Sequence, residues 1–162
     1  MLKIDASAKI SDFAEIEHSK RGSVVFVGQH TVIDSFVKIK MAGGSGNIEI
    51  GNYCFINSGC VIYSGNGVKI GNHVSIAANS TLASTNHEYI RRDFLIQSQG
   101  FRPSKGGIVI GNDVWIGANC VLLDGSIIGD GCVIAAGSVV RDVLEPCCIY
   151  AGNPIKKIGE RT

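Results

Sequence analysis

Aliphatic residues recur at every sixth position along most of this chain, a spacing that few folds can use. Counting from Ile110 by sixes gives Ile110, Ile116, Leu122, Ile128, Ile134 and Val140. Four residues beyond each stand Val114, Cys120, Ser126, Cys132, Ser138 and Leu144, most of them small. The frame recurs upstream in Ile70, Ile76 and Leu82, in Ile50, Ile56 and Ile62, and in Val27, Ile33 and Ile39. Ile4, Ile10 and Ile16 form an imperfect first set. Period six matches neither a heptad nor the 3.6 repeat of an amphipathic helix. It suits short strands joined by tight turns, each sending one large and one small side chain inward. Three such segments close a triangular coil of about eighteen residues. Successive coils then stack at the usual strand spacing of about 4.8 Å. Such a stack is stabilised collectively and needs capped ends.

Composition agrees with repeated turns. There are 21 glycines and only three prolines in 162 residues, and the glycines are spread at intervals. The Gly-Asn pairs at 51–52, 71–72 and 111–112 read as corners needing a tight turn or a positive φ. Cys54, Cys60, Cys120 and Cys132 share the small inward position, so they read as reduced core thiols and not as disulfides. Cys147 and Cys148 are adjacent, a poor geometry for bonding to each other, and receive no role. Fifteen basic against fourteen acidic residues leave a formal charge of +1, which argues against a broad nucleic-acid surface. No apolar run approaches the ~20 residues of a membrane span. The opening MLKIDASAKI has no secretory apolar region. The expectation is one soluble, cytoplasmic domain over residues 1–162.

Three breaks interrupt the frame. Residues 17–26 shift its register, and 41–47, MAGGSGN, form a glycine-rich bulge. From Leu82 to Ile110 is 28 residues where the frame needs six, so roughly 22 residues within 84–107 must loop out. That loop, STNHEYIRRDFLIQSQGFRPSKGG, holds a histidine, charged groups and aromatics. Chemistry concentrates on loops carried by a rigid scaffold. A subunit-packing insertion is the plainer alternative.

The hexads, together with STNHEY (84–89), FLIQSQG (94–100), VWIGANC (114–120) and YAGNPIKKI (150–158), resemble the hexapeptide-repeat sugar and polysaccharide acetyltransferases. Relatives of the maltose, galactoside and xenobiotic acetyltransferases belong to the same group. The resemblance spans about residues 48–158; the first 45 match only as loose repeat. It implies an all-β fold, a left-handed parallel β-helix with an extended loop and a short C-terminal segment. The left hand comes from the resemblance alone, since general chirality rules favour right-handed crossovers.

The resemblance further implies direct transfer of acetyl from acetyl-coenzyme A to a hydroxyl or amine of a sugar, nucleotide sugar or polysaccharide precursor. No metal and no cysteine nucleophile is implied. His87 stands where the family keeps its catalytic histidine, and imidazole titrates near the pH at which a general base must work. Glu88 or a backbone carbonyl would orient the ring. Trp115 matches a tryptophan near the thioester, or is surface packing on the coil. Ala118 and Ala136 match positions along the pantetheine arm. Arg141 and Lys156 match cationic positions near the coenzyme phosphates, with Lys157 a substitute for either. Asn57 resembles an asparagine that binds the acceptor in some relatives, or is only a corner residue. Asn86 and Gln99 are further acceptor contacts. Glu88 follows the histidine here where the galactoside-type enzymes have proline, which bears on the acceptor more than on the reaction. Family members are trimers with the site between subunits.

Two other classes compete. A γ-type carbonic anhydrase would need three histidines around a zinc. The chain has only His18, His30, His73 and His87, none at that family's short spacing, and the first three read as exposed or turn-side residues. A non-catalytic hexapeptide scaffold would share the coil but not the histidine loop, the tryptophan motif and the cationic tail.

Overall fold

The computed structural model describes residues 1–162. Its strands are two to five residues long and form three sheets of seven, eight and six strands. The first face runs from Leu2–Ile4 to Val143–Leu144, the second from Lys9–Ile10 to Lys156–Glu160, and the third from Glu15–Ile16 to Val139–Val140. Successive strands visit the faces in turn, and the pairings within each face are parallel except the last. The chain is therefore a three-sided left-handed parallel β-helix.

The register follows from the hexads. Ile50, Ile70 and Ile110 pair in one ladder, and Ile56, Ile76, Ile116 and Ile134 in another. Each points inward, because a strand alternates its side chains and the coil has only one dry side. The small positions fill the corners of the same core, which comprises 29 buried residues. Cys54, Cys60, Cys120 and Cys132 lie in that core as free thiols. Their S–H groups donate to carbonyls of the following coil, as Cys54 does to Gly71 at 3.1 Å and Cys120 to Ala135 at 3.3 Å. Burial pushes all four thiols up.

The Gly-Asn corners work differently from the sequence expectation. Positive φ falls one residue later than the pairs, on Tyr53, His73 and Asp113, at 54–57°. The glycines are required by close stacking: a Cβ on Gly71 would lie 2.6 Å from the Gly111 carbonyl oxygen. Each asparagine side chain accepts the amide of its counterpart in the coil before, Asn72 from Asn52 and Asn112 from Asn72, both at 2.8 Å. The corner is thus a side-chain ladder beside a backbone contact.

The two ends differ. Ile4 is exposed, and Ile10 and Ile16 are half-buried, because no coil stacks beneath them. At the other end Lys156–Glu160 folds back antiparallel on Cys148–Ala151. Arg161 fastens this strap by donating to the Asp113 carboxylate at 2.9 Å and the Gly131 carbonyl at 3.0 Å. No helix is long and apolar enough to cross a membrane.

Candidate active site

The three breaks in the hexad frame fall on one edge of the prism, where the third face turns into the first, and a two-residue insertion between Ile62 and Ile70 falls there too. Residues 17–24, 41–47 and 84–107 each join a third-face strand to a first-face strand. The breaks pack on one another. Thr85, at the start of the long loop, sits against Gly43, where any side chain would strike its methyl group. Gly44 and Gly46 lie as closely on the backbone of Gly65 and Gly67, and Gly107, at the loop's end, on Gly67. Small residues let these irregular segments stack without forcing the coils apart. After the loop the register resumes unchanged, with Val68 opposite Ile108 and Ile70 opposite Ile110.

The loop is a pinned hairpin. Its outgoing limb is held by Ser84, whose buried hydroxyl donates to the carbonyls of Tyr63 and Ser64 at 2.8 and 2.9 Å. Its returning limb is held by Asp124, a buried carboxylate that accepts the amides of Lys105 and Gly107 at 2.8 and 2.9 Å. Between them His87 and Phe101 form an antiparallel bridge. Glu88 donates its amide to Gly100 at 3.0 Å, and Arg102 donates its amide to Asn86 at 2.8 Å.

His87 is exposed, its ring tilted 37° against that of Phe101 at a centroid distance of 4.8 Å. It lines an open cleft of about 620 Å³ with Phe94, Leu95, Ile96 and Gln97. Glu88 does not orient the imidazole. Its carboxylate accepts the amides of Tyr89 and Ile90 at 2.8 and 3.0 Å and pairs with Arg102 at 3.4 Å. The Ile90 and Tyr89 amides, with Arg102 behind them, hold the Glu88 carboxyl below its usual range. Gln99 is likewise turned into the loop. Its amide accepts the Arg91 N–H and donates to the carbonyls of Arg91 and Phe94. That leaves little of it to meet an acceptor, because each limb of the amide already has a backbone partner. Asn86 is half-buried at the hairpin base.

The residues matched to the donor lie elsewhere on the prism. Trp115 stands out from the second face, 57% exposed, over a hollow of about 410 Å³ that it shares with His73, Asp113, Val133 and Arg161. Ala118 and Ala136 occupy the same repeat position in consecutive coils, on the edge between second and third faces. Gly117 lies so close to Ala136 that a Cβ there would meet its backbone nitrogen at 2.5 Å. Asn57 is on the same edge, its amide donating to the Ile76 carbonyl at 2.9 Å as a corner residue does. Arg141 and Lys156 lie exposed at the C-terminal end without an ion-pair partner, whereas Lys157 is held by Glu160 at 2.6 Å and Glu145 at 3.7 Å. The chain therefore carries the histidine and the residues matched to the donor on different edges, with His87 and Trp115 in separate cavities. His30 and His73 sandwich Tyr53 on a third edge and His18 is exposed, so no three histidines converge within the chain.

Phe101 and Asp124 were not singled out by the sequence. Asp124 had a faint signal, being the acid at a repeat position held by Ser64 and Ser84 in the coils before it.

Comparison with known proteins agrees with this architecture. A repeat model described as bacterial transferase hexapeptide (six repeats) matches residues 107–142, and one described as hexapeptide repeat of succinyl-transferase matches 47–84. Over 59 residues the chain is 58% identical to a probable macrolide acetyltransferase of Lysinibacillus sphaericus, covering 36% of this chain and 33% of that protein. Over 69 residues it is 39% identical to a chloramphenicol acetyltransferase of Agrobacterium fabrum, covering 43% of this chain and 32% of that one. The chain thus spans about a third of the length of these curated relatives. Among solved structures, a mutant of AntD, an N-acyltransferase from Bacillus cereus in complex with dTDP and coenzyme A, superposes with a TM-score of 0.83 at 22% identity, over 99% of this chain and 84% of that one. A hexapeptide-repeat acetyltransferase from Vibrio cholerae, complexed with acetyl-coenzyme A, superposes with a TM-score of 0.74 at 28% identity, over 87% and 72% of the two chains. Both repeat models match in phase with the coils, and the same coil recurs in solved acyltransferases, so residues 47–84 and 107–142 carry hexapeptide repeats similar to those of bacterial transferases.

Proposed function

We propose that this chain transfers acetyl from acetyl-coenzyme A to a hydroxyl or amine of a sugar, nucleotide sugar or polysaccharide precursor. The observation that carries this reading is His87, held on a pinned hairpin at the mouth of a cleft beside the coil. As the acceptor oxygen or nitrogen bonds to the acetyl carbon, the imidazole takes its proton, and it later returns one to the departing sulfur. Acetyl-coenzyme A is the donor substrate and supplies the activated acetyl group. Arg141 and Lys156 suit its phosphates, because neither is neutralised within the chain. Ala118 and Ala136 offer a small-residue edge for its extended arm, with Trp115 standing out from the adjoining face. Asn57 and Asn86 are the acceptor contacts of this proposal, with Gln99 reduced to shaping the loop. The donor edge and the histidine edge are separate in one protomer, which favours a homotrimer whose sites lie between neighbouring copies. The six free thiols fit a reducing cytoplasm.

His87→Ala tests the reading. Turnover should fall by about 10²–10⁴ while acetyl-coenzyme A binding, followed by calorimetry, stays unchanged. A full-rate variant would rule out the general base.

One observation favours a second acceptor class. The cleft at His87 is walled by Phe94, Leu95 and Ile96, with Gln97 its one other polar group. Such a wall suits an acceptor alcohol with an apolar face, and the relatives named above include macrolide and chloramphenicol acetyltransferases. Thiol release from acetyl-coenzyme A, assayed with amino sugars, nucleotide sugars, glycans and apolar antibiotic alcohols, decides between the two.

A further inference from the structure

We propose that Asp124 is a positioning residue that sets where His87 stands, acting through the returning limb of the hairpin. The inference rests on the general-base reading of His87 and assigns Asp124 no contact with substrate.

Asp124 is 4% exposed, lies outside the loop, and has no cationic partner among the chain's ion pairs. A buried carboxylate needs compensation, and here it comes from two backbone N–H groups. Oδ2 accepts from Lys105 and Oδ1 from Gly107, so both oxygens hold the same limb. Gly125 adds a third bond, donating its amide to the Gly107 carbonyl at 2.6 Å, and the Lys105 side chain packs over the space beside Gly125.

Only a carboxylate answers this geometry. It is acceptor-only at two oxygens, whereas an asparagine would turn an NH₂ toward one of the two N–H donors. The preceding coils hold Ser64 and Ser84 at this repeat position. The Ser84 hydroxyl donates to carbonyls, the reverse of what Asp124 does. The acid therefore appears in the coil that meets the returning limb of the long hairpin.

From Asp124 the constraint runs a short way. Lys105 is four residues from Phe101, which bridges to His87 and packs against its ring at 4.8 Å. The outgoing limb alone, fixed at Ser84, leaves His87 at the end of a three-residue tether. A general base displaced by about 1 Å can cost ~100-fold in rate, so the second anchor matters to chemistry.

The test compares Asp124→Asn, Asp124→Ala and His87→Ala in the full chain. Turnover should fall about tenfold for Asp124→Asn and ~100-fold for Asp124→Ala, with the acetyl-coenzyme A dissociation constant within about twofold of wild type. Amide exchange at 101–107 should accelerate while the strands Val121–Leu123 and Thr81–Ala83 keep their protection. Adding Asp124→Ala to His87→Ala should cost little more than His87→Ala alone, because a residue that acts by placing the imidazole has nothing left to place. Wild-type turnover in both Asp124 variants overturns the proposal. So does a loss matching only the unfolded fraction, or a full multiplicative loss on top of His87→Ala. If His87→Ala is itself fully active, the general-base reading falls and this inference with it, whereas accelerated exchange would show the clamp alone to be real.

Discussion

His87 and Phe101 oppose each other across an antiparallel bridge fourteen residues apart in sequence, with ring centroids 4.8 Å apart. The imidazole is thus placed by an aromatic neighbour and by backbone pairing, and not by the Glu88 carboxylate beside it in sequence. Its own neighbour Glu88 is committed to the Tyr89 and Ile90 amides.

Phe101→Ala should therefore lower turnover about tenfold through loss of ring placement. Its effect on thermal stability should be small, since Phe101 is half exposed and exposed substitutions usually stay within about ±0.5 kcal/mol. Steady-state rates and a melting curve on the same preparation check both halves. A stability loss with unchanged turnover would contradict the assignment.

Gly71→Ala tests the stacked corner. The new methyl group would lie 2.6 Å from the Gly111 carbonyl oxygen and 2.8 Å from the Asn112 amide oxygen. The Gly111 backbone cannot retreat without parting two coils, so the cost should be about 1–3 kcal/mol, as for other overpacked sites. Gly100→Ala, in open space on the loop, has no such clash and is strained only by its φ of +76°. Denaturant unfolding of the two variants should rank Gly71 as the more damaging.

The third face carries a pH-dependent cluster of three charges. Lys40 binds Glu17 at 2.7 Å and Glu15 at 2.9 Å. The Lys40 ammonium, then the Met41 amide, hold the Glu17 carboxyl below its usual range, and these carboxylates push Lys40 up to about 12. A depressed carboxylate contributes stability above its unfolded value of 4.5 and loses it as pH falls through the lower folded value. A raised ammonium contributes below its unfolded value of 10.5 and loses it as pH climbs through about 12. Melting temperature should drop below about pH 4 in the wild type, and less steeply in Lys40→Met.

Thiol chemistry separates core from surface. Cys147 is the exposed cysteine, and the other five are buried. Burial pushes the thiols of Cys54, Cys60, Cys120 and Cys132 up, which makes the reactive thiolate scarcer still. A folded chain should take up one equivalent of iodoacetamide, mapped to Cys147 by mass spectrometry. Transfer should continue at an undiminished rate in the labelled protein, because no step of the proposed transfer passes through sulfur on the enzyme.

The coil was readable because its constraint is local and repeated. The large inward position must be aliphatic and it recurs every sixth residue, so Ile50, Ile70 and Ile110 announced their ladder without a fold in view. The breaks were readable as failures of the count. The corners were recognised, but their positive φ belongs to Tyr53, His73 and Asp113, and the glycines answer to a neighbouring coil twenty or forty residues away. Gln99, a candidate for binding an acceptor, proved to hold the loop to itself.

By itself the sequence determined the period, the number of faces, the buried columns and the residues that must leave the coil, since each is set by side-chain chemistry within a few positions. The handedness of the winding was not among these. Only the tertiary structure decided that three separate irregular segments share one edge, and that Asp124 reaches back to the end of a loop. Such relations depend on which residues the winding brings together across coils, and a hexad count is blind to distance through space.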